Sequence, residues 1–324
     1  MCKLSEKFYS KFANYLLRDR EMVAQYLINS KGVGTIQRNL YYPFLKRALT
    51  VVPPRDEQIA IANFLDDKVS KIDEAIAQKE QLIQLLNERK QIIIQNAVTK
   101  GLNPNAPMKD SGIEWIGKTP EHWEVKKLKY LGYFINGYAF PSGDFTENGI
   151  RVMKISNIQT MQVDWQDSSY VGEKYWRKCK NFRVLDGDLV FALTRPVIST
   201  GIKATIYRGT DQILLNQRNS VLRTKGNVSL SWLYFTMLTD DFVGAFQAEI
   251  DNTGQQPNIS TYSIGELAIS YPPINEQEKI QHEIESLSIK IDKAIKLSLT
   301  VIDKLKEYKS TLINSVVTGK IKVS

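Results

Sequence analysis

Val51–Leu102 reads VVPPRDEQIAIANFLDDKVSKIDEAIAQKEQLIQLLNERKQIIIQNAVTKGL, and Ser270–Ile321 reads SYPPINEQEKIQHEIESLSIKIDKAIKLSLTVIDKLKEYKSTLINSVVTGKI. Placing Pro53 on Pro272 sets an offset of 219, and that one offset serves the whole stretch without a gap. Pro54 meets Pro273, Glu57-Gln58 meets Glu276-Gln277, Lys71-Ile72-Asp73 meets Lys290-Ile291-Asp292, and Val98-Thr99 meets Val317-Thr318. Chance does not hold register over so long a run. The chain is an internal tandem repeat, which points to one structural unit used twice.

Each copy predicts one long helix. After the double proline Asp56 is a plausible N-cap, and Gly101 with Pro104 ends the first copy near Lys100. About 45 residues at ~1.5 Å each make a rod of ~65–70 Å. Ile61, Leu65, Val69, Ile72, Ile76, Ile83, Leu86 and Ile93 recur mostly at three-and-four spacing. So do Ile280, Ile284, Leu287, Ile291, Ala294, Val301, Leu305, Tyr308 and Leu312 in the second copy. A stripe this narrow fits a coiled-coil seam. Packing of each rod on its own globular neighbour is the alternative. Two similar rods in one chain favour pairing, with the intervening domain letting the second run back antiparallel. Ile61, Leu65, Ile72, Ile76, Leu86, Ile284, Ile291, Ile295, Leu305 and Leu312 are the expected seam and docking positions.

The rest reads as an α+β protein. Residues 1–28 carry helical spacing (Phe8, Phe12, Tyr15/Leu16, Met22/Val23, Tyr26/Leu27), Lys31-Gly32-Val33-Gly34 is a turn, and Gln37 to Val52 is short strand or loop. Leu102–Pro120 is a polar linker. Strands are expected at Val125–Tyr133, Ile150–Ile155, Asp188–Leu193, Lys203–Tyr207 and Ser220–Arg223, and a helix at Ser231–Phe246. At the same offset Tyr15 meets Tyr234, and Gln37-Arg38-Asn39 meets Gln256-Pro257-Asn258. The expected organisation is therefore a C-terminal domain remnant over 1–52, a long helix over 53–102, a complete mixed α/β domain over 103–271 and a second long helix over 272–324. The remnant has no counterpart to roughly Ser111–Asn219, so the chain is expected to open inside a domain. Alone, it would expose Phe8, Phe12, Tyr15 and Tyr26.

Composition narrows the function. The 324 residues carry a formal net charge of +8. Residues 1–50 hold nine basic against three acidic residues, while 110–270 balance at seventeen each. Bulk charge therefore does not make the large domain a nucleic-acid binder, although Lys126-Lys127-Lys129 and Lys174, Arg177, Lys178, Lys180, Arg183 are local clusters. Two cysteines and two histidines exclude a disulfide framework or zinc cluster. No apolar run reaches the ~20 residues of a membrane span, nor do the first residues form a signal peptide. A cytoplasmic protein is expected.

Catalytic motifs fail on inspection. Gly112–Thr119 matches G-x-x-x-x-G-K-[ST], but Pro120 biases Thr119 out of the helical region, and a polar linker stands where the phosphate loop needs a buried strand. Glu124-Val125-Lys126 lacks the spaced Asp of a nuclease site, and Tyr42-Pro43-Phe44 is a mere fragment of a base-holding loop. Neither histidine has a partner for nucleophilic chemistry. A binding and scaffolding role follows, without metal or cofactor in this chain.

The order of motifs then resembles a known family. Ser111-Gly112-Ile113…Trp115-Ile116-Gly117…Pro120-Glu121-His122-Trp123…Lys127-Leu128 is followed by Gly149-Ile150-Arg151-Val152…Ile155-Ser156-Asn157-Ile158 and Gly187-Asp188-Leu189-Val190-Phe191. Next come Asn216-Gln217, Gln256-Pro257-Asn258-Ile259, Pro272-Pro273…Glu276-Gln277 and Val317-Thr318-Gly319-Lys320-Ile321. This resembles the DNA-specificity (S) subunit of type I restriction-modification systems. The resemblance implies two target-recognition domains spaced by two antiparallel helices, each reading half of a bipartite site in double-stranded DNA. It also implies helices that dock modification (M) subunits, which methylate adenine with S-adenosylmethionine, and a restriction (R) motor subunit that needs Mg-ATP. Here one recognition domain is complete and the other a remnant. Self-association, a complementing S fragment, or a scaffold that docks partners with impaired DNA binding are the ways such a chain could act. Within the complete domain Lys126, Lys127, Lys178 and Lys180 are candidates for phosphate. Thr194, Arg195, Gln217, Arg218, Gln255 and Gln256 have base-reading chemistry, and Tyr138 could stack or donate.

Overall fold

Two helices dominate the secondary structure. The first spans Arg55–Lys100 and the second Ile274–Val317, 46 and 44 residues. The computed structural model describes residues 5–33, 37–39, 43 and 46–323. Gly34, Tyr42 and Phe44, named above, lie outside them. The chain divides into two units, residues 1–87 with 291–324, and residues 88–290. Among the described residues no helix is long and apolar enough to cross a membrane.

In the first unit, Ile61, Ala62, Leu65, Ile72 and Ile76 from the start of the first helix share a core with Ile302, Leu312, Val316 and Val317 from the end of the second. Lys309 Nζ reaches Asp73 at 2.6 Å. Start against end means an antiparallel pair, as the stripes predict. The second unit repeats the relation, with Ile94, Ala97 and Val98 buried beside Ile280 and Ile284. Three stripe positions differ: Ile94, not Ile93, and Ile302, not Val301, are the deeply buried residues, and Tyr308 is 56% exposed. The helix begins at Arg55, so Asp56 lies inside its first turn and is not the cap.

Residues 5–33 form two helices, Ser10–Arg18 and Arg20–Ile28. Asp19 breaks the expected single helix, since its carboxylate accepts from Glu21 N at 3.0 Å and caps the second. Asn314 Nδ2 donates to the same carboxylate at 3.0 Å. Phe12 and Leu16 are buried in the helix-pair core, so the segment does not offer Phe12 as exposed apolar surface. Lys31–Val33 is a strand paired antiparallel with Gln37–Asn39, where the sequence suggested a turn.

The second unit is built on a four-stranded antiparallel sheet ordered Ala204–Ile206, Leu189–Ala192, Asn219–Thr224, Gly132–Asn136. Strand periodicity explains its position. Leu189, Phe191, Ala204 and Leu222 face a core with Trp123, Trp232, Phe242 and Phe246. Val190, Ala192 and Val221 face the opposite core with Met153, Ile213 and Leu215. Leu189–Ala192 is therefore buried on both faces and reads as an unbroken apolar run. Just before it, Gly187 adopts φ +85° and Asp188 accepts a paired contact from Arg223, Nε and Nη2 both at 2.8 Å. That ion pair holds the Arg223 guanidinium above its ordinary pKa, the hydrogen bond to Asp188 being the main cause.

A five-stranded sheet lies on the second core: Arg183–Val184, Ile213–Leu215, Ile150–Met153, Ser169–Val171, Phe145–Thr146. Its Ile213–Leu215 and Ile150–Met153 pair is parallel. Three expectations need correction. The Val125–Tyr133 strand is Glu124–Lys127, a turn of helix at Leu128–Leu131, and a new strand from Gly132. The Ser231–Phe246 helix is two, Leu230–Met237 and Asp240–Ala248, because Thr239 caps the second through Phe242 N. The linker contains a hairpin, Met108–Asp110 with Lys118–Pro120, and Trp115 packs edge-on to Phe242 at 5.8 Å. Lys118 and Thr119 thus lie on a strand, with no phosphate-loop helix following.

Candidate nucleic-acid interface

Register determines which loops meet. Ala192 lies opposite Asn219 and Ser220 opposite Asn136. The chain therefore leaves one end of the four-stranded sheet at Leu193–Arg195, enters it after Asn216–Arg218, and leaves again at Gly137–Tyr138. Backbone hydrogen bonds knit these segments: Leu193 N to Arg218 O (2.8 Å), Gln217 N to Tyr138 O (3.0 Å) and Gly137 N to Asn219 O (3.0 Å). The 255–258 turn joins through Arg195 N to Pro257 O (2.8 Å) and Ile259 N to Leu193 O (2.9 Å). Gly137 is required for the close crossing, because a Cβ there would stand 2.1 Å from Asn216 O.

This brings Thr194, Arg195, Gln217, Arg218, Gln255 and Gln256 to one end of the sheet. Arg195, Gln217, Arg218 and Gln255 are exposed. Among the described residues their side chains have no hydrogen bond or ion pair. Arg195 has φ +49°, in the left-handed region that a non-glycine residue rarely adopts. The Arg195 N–Pro257 O bond and the bridge of Thr194 to Asn258 hold it there. Thr194 differs: it is 5% exposed, and its hydroxyl donates to Asn258 Oδ1 at 2.6 Å. It fastens the loop and presents no free hydroxyl.

Two neighbours outside the candidate set brace this end of the sheet. Lys203 is 7% exposed, accepted by Ile155 O at 2.6 Å, and its backbone N donates to Pro196 O beneath the Arg195 turn. Burial first, and then the charge of Arg195, pull its pKa down. Asn258 braces the turn by donating to Gln256 O at 2.7 Å while accepting from Thr194. A lone lysine on a strand carries no sequence signal for such bracing, whereas Gln256-Pro257-Asn258 can be read as a packed turn.

Tyr138 sits among aromatic rings, with Phe140 at 5.1 Å, Phe182 at 5.5 Å and Tyr175 at 6.0 Å. Its hydroxyl accepts from Lys178 Nζ at 3.3 Å, which raises the lysine's pKa. Tyr175 donates to Asp144 at 2.5 Å, and that bond carries its own pKa up to about 12 while lowering that of Asp144. Lys180 and Arg177 are exposed and, among the described residues, unpaired. The 174–183 cluster is therefore linked through Tyr138 to the loops at this end of the sheet.

Lys126 and Lys127 are not part of this group. They lie on Glu124–Lys127, paired with Ala268–Tyr271, and feed into the sheet at Gly132, opposite Thr224 and hence at its other end. Lys127 is bound to Glu266 at 2.6 Å, and Lys126 to Glu124 at 3.1 Å with its ammonium 4.1 Å over Tyr271. The structure separates them from the proposed phosphate contacts and gives them partners.

Two free guanidiniums and two free amides at one end of a rigid sheet suit hydrogen bonding to base edges, and flanking amines suit phosphates. Among the described residues no group of His, Cys, Asp or Glu could hold a metal. Residues 120–301, more than half of the chain, match the family model described as the type I restriction modification DNA specificity domain. The chain belongs to this family. Over 311 residues it is 27% identical to the type I restriction enzyme MjaVIII specificity subunit of Methanocaldococcus jannaschii, covering 95% of this chain and 69% of that protein. It is 28% identical over 209 residues to the EcoAI specificity subunit of Escherichia coli, covering 64% of this chain and 35% of the relative. A solved structure concerning complex assembly and conformational transition of the type I R-M system superposes with TM-score 0.73 at 14% identity, over 96% of this chain and 71% of that one. The HsdS subunit from Thermoanaerobacter tengcongensis gives 0.58 at 14%, over 97% and 71%. Such identities show the fold alone, an α+β recognition domain with long paired helices. As a specificity subunit the chain is a non-catalytic component that recognises target DNA.

Proposed function

We propose that the loop cluster Leu193–Arg195, Asn216–Arg218 and Gln255–Asn258 reads the bases of one half of a bipartite DNA site, and that the long helices dock adenine-methylating and restriction subunits in the cytoplasm. The observation that carries the reading is the convergence of Arg195, Gln217, Arg218 and Gln255, exposed and unpaired, at the braced end of the four-stranded sheet. Arginine paired bidentate to guanine, and glutamine to adenine, are the contacts these side chains make best in the major groove. Arg177, Lys178 and Lys180 supply phosphate contacts that set register without reading sequence. Residues 5–33 repeat the helix pair of 230–248 and the strand contact that follows it, which supports their reading as the closing part of a first recognition domain. S-adenosylmethionine and Mg-ATP belong to the partner subunits in this scheme.

The test is the affinity ratio between selected target and random duplex DNA, measured for the chain with its modification partner. Arg195→Ala or Arg218→Ala reduces that ratio by ~1–3 kcal/mol where the arginine is bidentate to guanine. An unchanged ratio removes the residue. Unchanged ratios for all four exposed side chains would leave a docking scaffold as the better account.

A further inference from the structure

We infer that the hairpin Val197–Ile202, with Met161 beside it, is a second reading element that sets apolar side chains against thymine 5-methyl groups in the major groove. The inference rests on the proposed function and deepens it: the loops above read hydrogen-bonding edges, and this ribbon reads a methyl.

The chain does not turn back at once between the sheet strands Leu189–Ala192 and Ala204–Ile206. It passes Arg195 and forms a small antiparallel ribbon, with Val197 opposite Ile202 and Ile198 opposite Gly201. Ser199-Thr200 is the two-residue turn at its tip, and Gly201 takes φ +118°. Ala192 N donates to Lys203 O at 2.9 Å, so the ribbon starts from the sheet end that carries Arg195, Gln217 and Arg218. Ile198, Ser199 and Thr200 are exposed.

A second loop fixes the ribbon. Thr160 Oγ1 donates to Ile202 O at 3.0 Å and accepts from Thr200 Oγ1 at 3.1 Å. Next to it, Met161 N donates to the Tyr234 hydroxyl at 2.8 Å, and that hydroxyl donates to Ala204 O at 2.7 Å. Tyr234 is 7% exposed, so the anchor is internal. These bonds hold Met161 at φ +66°. Among the described residues only Met161 and Arg195 are non-glycine residues at positive φ, and both adjoin this one ribbon. Such strain persists only where the surrounding bonds over-determine it, and it collects at functional sites.

What the braced backbone displays is apolar: Met161 is 53% and Ile198 36% exposed. Cross-strand partners share a face. A Cβ on Gly201 would stand 3.7 Å from Thr160 Cγ2, so Ile198 lies on the face that meets the Thr160-Met161 loop. The surroundings select DNA over a protein partner. Neither Ile155–Val163 nor Leu193–Lys203 contains an Asp or Glu, so no carboxylate on them repels phosphate. A two-stranded ribbon fits the ~12 Å major groove, where the thymine methyl is the apolar group on the base edges.

The test replaces each thymine of the selected target duplex in turn by deoxyuridine, which removes the methyl and keeps the pairing. Affinity of the chain bound to its modification partner is expected to fall about four-fold at one or two thymines, the worth of one buried methyl. Ile198→Ala should bind the thymine and uracil duplexes equally at one such position, and Met161→Ala at the same or a neighbouring one. Ile198→Val should keep the difference. The thymine-to-uracil ratio is the readout, since a loss of fold lowers binding to both duplexes alike. No uracil-sensitive thymine, or a ratio that survives both alanine variants, overturns the inference. So does release of the modification partner by Ile198→Ala with the ratio intact, which would make the ribbon a protein contact. Degeneracy at a base position in Arg195→Ala without any uracil effect refutes the ribbon alone. A wild-type chain that does not distinguish target from random duplex refutes both readings.

Discussion

Arg195 shows how one residue can be exposed and yet fixed. Its side chain is free, but its backbone is held at φ +49° by Pro257 O and by the neighbouring Thr194–Asn258 contact. A left-handed non-glycine residue costs of order 1–3 kcal/mol, and the surrounding bonds must outweigh that. Asn258→Ala is therefore expected to loosen the turn and lower target discrimination while leaving nonspecific binding nearly unchanged. Comparing target and random duplexes at one salt concentration checks this. Lys180→Ala should do the reverse, weakening both duplexes alike and reducing the salt slope by about one. That Arg195, Gln217, Arg218 and Gln255 lie on turns was legible in the sequence. Burial was not: nothing in Thr194 or Lys127 announces that one is tucked under Asn258 and the other is bound to Glu266.

At the scale of elements, small polar side chains determine where helices start and how sheets are tied. Asp188 and Arg223 join neighbouring strands by a paired contact, with Asp188 4% exposed. Asp188→Ala would strand a partly buried guanidinium and is expected to cost about 3–5 kcal/mol, read from urea unfolding. A milder, pH-dependent effect belongs to Asp66, whose carboxyl is held low by hydrogen bonds from Lys11 first and then Tyr15. Its folded pKa lies below the ordinary 3.8, so its contribution is present above that value and fades as pH falls below it. The Asp66→Asn variant should therefore lose stability relative to wild type at pH 6, with the gap closing in strong acid. Thermal melts across that range decide it. Both long helices were legible because their periodicity runs for about nine turns. The breaks at Asp19, Thr239 and Leu128 were not, because a cap or a single helical turn is decided by one side chain meeting one backbone N–H.

At the scale of the molecule, the repeat is the governing fact. Each unit contains the start of one long helix and the end of the other, and each pins its helix start with a buried glutamine, Gln58 or Gln277. That symmetry is visible in the offset of 219 in the sequence. The offset could not show that Glu124–Lys127 pairs with Ala268–Tyr271, since this depends on hydrogen bonds between distant segments. In the proposed function, sequence is read by the loops at one end of the four-stranded sheet. The direct measurement is selection from a random duplex library by the chain bound to its modification partner, followed by sequencing. One enriched motif is predicted, with degeneracy appearing at particular base positions in Arg195→Ala, Gln217→Ala and Arg218→Ala. The same motif recovered at undiminished stringency from all three would contradict the account.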